Sequence, residues 1–288
     1  MQDLNFELKQ LCQRNRDGSF ATQVARERAL TLTATQLIDL GYKNMTIHSL
    51  KPKHITALVE RWQNEKLSVG TVKNRMAHLR WWTEKIDKRS IIARDNETYG
   101  IADRRYVTNV SKAVHLSAEQ LALVTDENTS LSLQLQAAFG LRREESIKFA
   151  PFHADRGDRL VLKASWCKGG REREIPILSS TQRALLERVH VHCGPASLIP
   201  AAMSFKDQLE RFKYQCGLAG IHRVHGHRHG YAQRRYLELT GWACPAVGGL
   251  ISSAMTREQK VIDQAARRQI SQELGHEREQ ITAVYLGR

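Results

Sequence analysis

The amino-acid sequence predicts a mainly α-helical protein with one small antiparallel β-sheet, an α+β fold arranged in two domains. Apolar residues recur at helical spacing in the first hundred residues, and helical patterns return in the second half of the chain. Between them stand two strand-like segments joined by turn glycines. The length of 288 residues is also that of two domains of ordinary size.

The first domain, residues 1–98, is predicted to be a small helical bundle. Ser19 is placed to cap a helix that ends before Gly41, and Pro52 fits the first turn of a second helix. Ser68 or Thr71 then begins a third helix. The apolar positions of the second helix follow the i, i+3, i+4, i+7 pattern and are Ile55, Leu58, Val59 and Trp62.

A polar segment, residues 99–114, is predicted to be a linker that leads into a second domain, residues 115–288. Ser117 and Gln120 form a capping-box pattern at its start, and one helix precedes Gly140. Residues 159–164 and 171–177 are predicted to form a hairpin, because CKGG between them supplies turn glycines. Further helices are predicted around residues 180–193, 204–215, 226–239 and 257–274.

The charge of the chain is the first indication of function. It contains 44 Lys and Arg residues against 30 Asp and Glu residues, a formal net charge of +14. A protein this basic usually binds a polyanion, and we expect nucleic acid. A basic protein without such a partner is the alternative, because net charge alone does not specify function.

The cysteines and the N-terminal segment indicate the compartment. Five cysteines are widely spaced and form no CxxC pair, which argues for reduced thiols against a disulfide scaffold or a zinc site. The N-terminal MQDLNFELKQLC has no signal-peptide apolar core, and no run approaches the length of a membrane span. We therefore expect a cytoplasmic, nucleoid-associated protein.

Four short segments of the second domain together contain the residue types that phosphoryl transfer on DNA needs. They are GLRREES (140–146), WCKGGREREIP (166–176), HGHRHGYA (225–232) and LGHEREQITAVY (274–285). A phosphodiester under attack gains charge on its non-bridging oxygens, which the planar, always charged Arg side chain binds well. A Tyr hydroxyl can form a covalent link to phosphorus, and Lys or His can protonate the leaving oxygen.

These segments resemble the motifs of the tyrosine recombinases, also called phage-type integrases. The family pattern T-G-L-R-x-x-E-L is similar to FGLRREES here, which would make Arg142 the first catalytic arginine and Glu145 its supporting acid. Arg143 is the alternative for that arginine. The family carries a lysine in its β-hairpin turn, and the similar segment KGGREREIP implies that Lys168 protonates the leaving 5′-hydroxyl.

The other two family patterns lie nearer the end of the chain. H-x-L-R-H-[ST]-x-A resembles HGHRHGYA and implies that His225 and Arg228 are a catalytic pair, although His227 and Gly230 depart from the pattern. The last pattern is L-G-H followed by a tyrosine nine residues after the histidine. By this resemblance His276 would bind the scissile phosphate and Tyr285 would attack it.

The resemblance covers about residues 117–288 well and the first part of the chain more loosely, where the family has a helical core-binding domain. We also expect five further cations to contact DNA, namely Lys73, Arg75, Arg80, Arg171 and Arg173. The chemistry that the resemblance implies requires no metal and no other cofactor. The alternating histidines of HGHRH have ligand-like spacing, but no acid or cysteine stands nearby to complete a metal site.

The resemblance implies a site-specific DNA recombinase that works through a covalent 3′-phosphotyrosine intermediate to integrate or excise a bacterial mobile genetic element. It also implies that the partner is double-stranded DNA at attachment sites and that the protein forms a homo-oligomer on it, a tetramer in the synapse, with accessory DNA-bending or directionality proteins as further partners. Two other functions remain open. One is a type IB topoisomerase that relaxes a single duplex, and the other is a non-enzymatic DNA-binding protein on a recombinase scaffold.

The end of the chain departs from the family pattern. The stretch between Arg228 and His276 is longer than usual, so residues 242–264 are predicted to be an insertion formed by a loop and part of a helix. Many relatives carry a further helix after the tyrosine, whereas here Leu286, Gly287 and Arg288 follow it. We expect either that such a tail contact is absent or that the insertion supplies it. Tyr231 and Tyr236 are the next candidates for the nucleophile.

Overall fold

The computed structural model describes residues 3–288, which are mostly helical with one two-stranded antiparallel sheet. This confirms the predicted fold class. The chain divides into two compact units, the first ending at Arg105 and the second running from Tyr106 to Arg288. The division falls inside the segment that the sequence predicts as a linker. Within residues 3–288, every helix is too short or too polar to cross a membrane.

The first unit contains four α-helices between residues 3 and 105. They are α1 (Leu4–Arg14), α2 (Phe20–Asp39), α3 (Pro52–Asn64) and α4 (Val69–Lys85). The predicted starts are confirmed: the Ser19 hydroxyl caps α2, Pro52 stands in the first turn of α3, and the Ser68 hydroxyl caps α4. Helix α1 was not predicted from the sequence.

The core of the first unit lies between these helices. The four periodic apolar residues of α3 are buried, and the indole N–H of Trp62 donates to Gln36 Oε1 at 2.8 Å. Trp82 is fully buried, and its indole N–H donates to the Ile47 carbonyl at 3.1 Å. Trp81 is only half-buried, and its ring lies beneath the Arg26 guanidinium. The tryptophans of α3 and α4 are therefore residues of this core or its margin.

The second unit contains nine α-helices among its described residues. They are α5 (Ala118–Ala122), α6 (Glu127–Phe139), α7 (Arg143–Ile147), α8 (Pro151–Ala154), α9 (Ser180–Cys193), α10 (Phe205–Leu218), α11 (Gly226–Thr240), α12 (Arg257–Glu273) and α13 (Glu279–Leu286). The capping box of Ser117 and Gln120 at α5 is confirmed. Helix α13 was not predicted from the sequence, although it carries Tyr285.

The sheet pairs β1 (Arg159–Leu162) with β2 (Arg173–Pro176), and Leu162 stands opposite Arg173. Both strands are shorter than predicted, because a 3₁₀ turn at Ala164–Trp166 and a glycine turn take up the intervening residues. Leu160 and Ile175 are fully buried and fix the inner face of the hairpin. The hairpin loop is therefore anchored at its base.

Helices α6 and α11 pack against each other at the centre of the second unit. Gly140 ends α6 with a φ of +61°, and a Cβ at this position would lie 2.7 Å from the Tyr231 ring of α11. Only glycine combines that backbone conformation with so close an approach. This contact places the segment that follows α6 directly beside the start of α11.

The predicted insertion, residues 242–264, begins as an irregular segment with two short 3₁₀ turns at Pro245–Val247 and Ser252–Ala254. Helix α12 supplies its second part from Arg257. The prediction of a loop followed by part of a helix is therefore confirmed.

Candidate active site

Arg142 and Glu145 form a closed pair at the start of α7. Arg142 is the residue before the helix, and its backbone N–H donates to Glu145 Oε2 at 2.6 Å. Its Nη1 donates to Glu145 Oε1 at 2.7 Å. The Glu145 side chain is fully buried. This arrangement orients a half-buried guanidinium that keeps its other nitrogen for further partners.

Glu145 also binds a second arginine. Arg173 of β2 donates from Nη2 to Glu145 Oε2 and from Nη1 to the Glu273 carbonyl at 2.7 Å. Burial acts to raise the pKa of the Glu145 carboxyl, but Arg173 and Arg142 more than offset it, so that the pKa lies below its usual value. One carboxylate therefore balances several guanidinium groups.

Arg173 binds within this chain in the structure. Its side chain is 3 % exposed, and it binds Glu145 and the Glu273 carbonyl. Alternation along β2 turns it to the buried face of the hairpin, where it binds Glu145. A contact of Arg173 with DNA stays a prediction, and its burial does not favour it.

Arg228, in the first turn of α11, is fully buried. Its Nη1 donates to the Gly140 carbonyl at 2.6 Å, and its Nη2 donates to the Leu274 carbonyl. Arg142 Nη2 lies 3.3 Å from the same Leu274 carbonyl. The two arginines that the sequence selected therefore converge on one acceptor, although 86 positions separate them in the chain.

Tyr285 lies on α13 and is 7 % exposed. Its Oη is 3.1 Å from His225 Nε2, and its ring centroid lies 5.9 Å from the Arg228 guanidinium carbon. Part of the His225 side chain is exposed, but its ring nitrogen is half-buried where it meets Tyr285. This partial desolvation, and then Arg228 and Arg142, lower the pKa of His225, which favours a neutral imidazole beside the hydroxyl.

His276 completes the surroundings of Tyr285. Its ring stacks on the tyrosine ring with centroids 5.3 Å apart. Its Nε2 lies 3.3 Å from Arg228 Nη2, and its Nδ1 lies 2.9 Å from Thr282 Oγ1. Since a guanidinium can only donate, Nε2 is the acceptor and the proton resides on Nδ1. Burial, Arg228 and Arg142 lower the pKa of His276 to about 3, so the ring is neutral near pH 7.

Lys168 and Arg171 lie on the hairpin loop. Both line an open cleft of about 1020 Å³ that Arg142 and His276 also line. Lys168 is exposed, and Arg171 Nη1 pairs with Glu277 Oε1 at 2.6 Å. The loop thus brings Lys168 to the same cleft as the arginine and histidine, without a direct bond to either.

The histidines of HGHRH divide between two faces of α11. His225 and His229 share the face toward Tyr285, whereas His227 donates from Nδ1 to the Val114 carbonyl at 3.0 Å. Within residues 3–288, no three His, Cys, Asp or Glu side chains are grouped so that they could hold a metal ion.

His229 is a residue that sequence reasoning left without a role. It is buried, its ring centroid lies 4.3 Å from that of Tyr285, and burial lowers its pKa to about 4. The available signal was its spacing, because residues i and i+4 share a helix face and His225 precedes it by four positions. His229 therefore forms part of the wall against which the Tyr285 ring packs.

The alternative residues occupy other surroundings. Tyr231 donates to Glu273 Oε2 at 2.7 Å, and Tyr236 donates to Asp263 Oδ1 at 2.5 Å. Burial and the neighbouring carboxylate raise the pKa of each hydroxyl. Arg143 is exposed and does not line the cleft. The geometry thus favours Tyr285 and Arg142 over these three.

Two family models match the chain. One describes the phage integrase N-terminal domain and matches residues 1–92, and the other describes the integrase and matches residues 102–234. The second range contains Arg142, Lys168, His225 and Arg228 in the arrangement given above.

The chain belongs to the tyrosine recombinase family.

Solved recombinase structures share this fold at low sequence identity. A lambda integrase dimer bound to a COC′ core site has a TM-score of 0.61 and 14 % identity, over 99 % of this chain and 78 % of that one. The Tn1549 transposon integrase with circular intermediate DNA has a TM-score of 0.55 and 15 % identity, over 100 % and 96 %. The XerH recombinase on a palindromic difH substrate has a TM-score of 0.57 and 14 % identity, over 99 % and 81 %. No curated protein matches this chain in sequence.

The predicted DNA contacts of the recombinase's first unit are engaged within that unit. Lys73 pairs with Asp103 at 2.7 Å, and Arg80 donates to the Ala93 and Asp95 carbonyls at 3.1 and 2.9 Å. The Arg75 guanidinium lies over the Trp62 ring. Their role toward DNA stays a prediction, and the structure gives each of them an intramolecular partner.

Proposed function

We propose that this chain is a site-specific DNA recombinase whose nucleophile is Tyr285. The observation that carries the proposal is the position of Tyr285. Its hydroxyl lies 3.1 Å from His225 Nε2, and its ring lies 5.9 Å from the guanidinium of Arg228, which shares the Leu274 carbonyl with Arg142. A hydroxyl next to a neutral imidazole, with two fixed cations in the same site, is suited to attack a phosphodiester.

In the first step the Tyr285 oxygen attacks phosphorus, and the bond from phosphorus to the 5′ oxygen breaks. The lowered pKa of His225 favours the neutral imidazole, which takes the tyrosine proton at Nε2 in the tautomer that carries its own proton on Nδ1. Lys168 gives a proton to the departing 5′ oxygen from the hairpin-loop side of the cleft. Arg142 and Arg228 bind the non-bridging oxygens, whose charge grows in the transition state. His276 joins them only with a proton on Nε2, so we propose that its proton moves from Nδ1 to Nε2 once the phosphate replaces it as a partner of Arg228.

In the second step a 5′-hydroxyl from a partner strand attacks the phosphotyrosine. The bond from phosphorus to Tyr285 breaks, and the phosphodiester is restored with its strands exchanged. Each step exchanges one phosphate ester for another, so the bond energy is retained and the chain's own residues supply all proton transfers. We propose that the setting is integration or excision of a mobile genetic element.

The site as described is closed over Arg228. The Tyr285 ring lies above a guanidinium that is fully buried, so a phosphate reaches Arg228 only when the tyrosine side chain moves aside. We propose that DNA binding causes this movement. The same change frees the hydroxyl to face phosphorus, because the ring and its oxygen turn together.

We assign the two units as a core-binding domain and a catalytic domain on DNA. The solved relatives include a dimer bound to a core site and a tetramer bound to a Holliday junction. A chain of net charge +14 that assembles in this way would bind with an affinity that falls steeply with salt.

Covalent capture tests the proposal. The protein is incubated with nicked duplexes of randomised sequence, and SDS-resistant protein–DNA adducts are isolated and sequenced. We expect adducts that share a sequence at the nick and that disappear in Tyr285→Phe. Tyr214→Phe is the matched control, since this tyrosine is exposed on α10, and it should retain adduct formation.

The outcomes separate the alternatives. Adducts that persist in Tyr285→Phe would place the nucleophile elsewhere. Adducts without sequence preference, together with relaxation of supercoiled plasmid by a monomer, would favour a type IB topoisomerase. Duplex binding without any adduct would favour a binding protein.

A further inference from the structure

Helix α13 carries the proposed nucleophile but is too short to hold its own position. It spans eight residues, Glu279–Leu286. Isolated helices shorter than about 12–15 residues are marginal in water, so the placement of α13 depends on contacts with the rest of the second unit. These contacts include hydrogen bonds to the backbone of α13 and of the two residues after it, in addition to the packing of the Tyr285 ring.

The backbone carbonyls at the end of α13 meet three side chains from three different segments. Gln233 of α11 donates from Nε2 to the Tyr285 carbonyl at 3.1 Å. Arg267 of α12 donates from Nη1 to the Gly287 carbonyl at 2.9 Å. Asn109 donates from Nδ2 to the Arg288 carbonyl at 2.7 Å and accepts from the Arg288 N–H at 2.8 Å. Carbonyls in the last turn of a helix lack partners within the helix, so these side chains satisfy them.

We propose that Asn109, Gln233 and Arg267 form a clasp that positions the nucleophile within its own chain, an inference that rests on the proposed function of Tyr285. The three are positioning residues, because they act on the backbone around Tyr285 and not on DNA. The clasp fixes the end of α13 while the tyrosine side chain stays free to turn toward phosphorus.

The three clasp residues are themselves held in place. Arg267 Nε bonds both carboxylate oxygens of Asp263, at 2.8 and 2.9 Å. Gln233 Oε1 accepts from Ser111 Oγ at 3.1 Å. Asn109 has a φ of +46°, a left-handed conformation that asparagine tolerates better than most residues.

The fit around Gly287 shows how closely the clasp is closed. Its φ is +78°, and a Cβ there would lie 2.6 Å from Asn109 Oδ1 and 2.8 Å from the Ala246 nitrogen. Ala246 belongs to the insertion, residues 242–264. The insertion and Asn109 therefore both pack closely against Gly287, at the end of α13.

Two substitutions remove clasp contacts while sparing the reacting groups. Asn109→Gly deletes both hydrogen bonds to Arg288 without strain at positive φ. Gln233→Met keeps the side-chain length and deletes the bond to the Tyr285 carbonyl. We expect adduct formation at saturating nicked duplex to slow by roughly 10- to 100-fold, since small misplacements of a nucleophile have effects of this size. The dissociation constant for the duplex should not change.

Matched controls exist in the first unit. Asn44→Gly makes the same exchange at another left-handed asparagine, with φ +56°. Gln63→Met removes a bond of the same kind, from Nε2 to the Tyr99 carbonyl at 3.1 Å. Both should react at the wild-type rate. Asn109→Asp keeps the acceptor for the Arg288 N–H and should restore part of the rate that Asn109→Gly loses.

Hydrogen–deuterium exchange gives a readout that does not require catalysis. Amides of residues 279–288 should exchange faster in Asn109→Gly and Gln233→Met than in the wild type, while those of α11 stay protected. If the wild type forms no adduct, the proposed function fails, and the exchange data alone decide on the clasp. Unchanged exchange, or an adduct rate at or above that of the wild type in both variants, would overturn the clasp.

Discussion

The two units of this chain place the cations that the sequence selected in different surroundings. In the first unit Lys73 has its own carboxylate partner, and Arg80 has backbone carbonyls and an amide oxygen. In the second unit Arg142 and Arg173 share the buried carboxylate of Glu145, with Arg228 nearby. A cluster in which guanidinium groups outnumber their counter-charges is suited to take up a further anion, which a large number of separately paired basic residues is not.

The largest expected effect comes from removing the one carboxylate of the arginine cluster. Glu145→Gln leaves buried guanidinium groups without a counter-charge, and breaking a buried pair from one side costs about 3–5 kcal/mol. Urea denaturation of the second unit should show this loss. Glu144→Gln is the control, because that side chain is exposed and pairs only with Lys148 at the surface. If Glu145→Gln and Glu144→Gln were equally stable, the buried guanidinium groups of the second unit would not depend on Glu145 for their counter-charge.

The next effect tests which arginine of the adjacent pair serves the site. Lys cannot bind two acceptors at once as the guanidinium fork does. Arg142→Lys should therefore slow adduct formation by about 10²–10³-fold, the size expected when a transition-state donor is lost. Arg143→Lys, one residue away and exposed, should react like the wild type. The reverse result would move the catalytic role to Arg143.

The buried position of His276 beside the arginine cluster should appear as a pH dependence of stability. The pKa of His276 falls from 6.5 to about 3 in the folded state, chiefly through burial and then through Arg228. Below pH 6.5 the His276 side chain therefore binds a proton in the unfolded chain but not in the folded chain, so the free energy of unfolding decreases as the pH falls toward 3. The slope from this group approaches about 1.4 kcal/mol per pH unit.

His276→Gln should flatten that profile between pH 6 and pH 4 in urea denaturation experiments. His192→Gln is the control, since His192 is exposed and bonds only Asn128 Oδ1 at 3.0 Å. The lowered pKa of Glu145 also contributes to the loss of stability, but only at pH values below the usual pKa of a glutamate, as the folded carboxylate takes up its proton. A steep profile that survives His276→Gln would assign the dependence to other groups.

The smallest expected effect is on DNA affinity and concerns Lys73 of the first unit, whose charge is paired with Asp103. Asp103→Asn removes the partner of Lys73, and because exposed ion pairs contribute about 0–1 kcal/mol, stability should hardly change. If the freed ammonium reaches a phosphate, the slope of log affinity against log salt should steepen by about 0.9. Asp87→Asn is the control at another exposed aspartate. An unchanged slope would show that Lys73 does not contact DNA.

The sequence predicted those parts of the site that depend on spacing within one segment. Arg142 and Glu145 are three residues apart and meet across the first turn of α7, and the pairing of β1 with β2 follows from their alternation. Such short-range geometry is set by helix and strand periods, which can be recognised in a single sequence.

The rest depended on partners that are distant along the chain. Arg173 is separated from Glu145 by 28 positions, and Lys73 from Asp103 by 30, so no local pattern showed that these cations are occupied. Helix α13 is too short and too dependent on tertiary contacts to give a clear helical pattern. The role of His229 also required the position of Tyr285, 56 residues later.

The carbonyl of Leu274 has a consequence for ligand discrimination. It accepts hydrogen bonds from both Arg142 and Arg228, and thus occupies the guanidinium groups that a phosphate would use. In the proposed mechanism an incoming phosphate must displace the Leu274 carbonyl from the two arginines. The loss of these hydrogen bonds offsets part of the binding energy of the phosphate. A free phosphate ion brings no other contacts and competes poorly. A phosphate carried by a duplex arrives with many further contacts, which keeps the site selective in a cell rich in small anions.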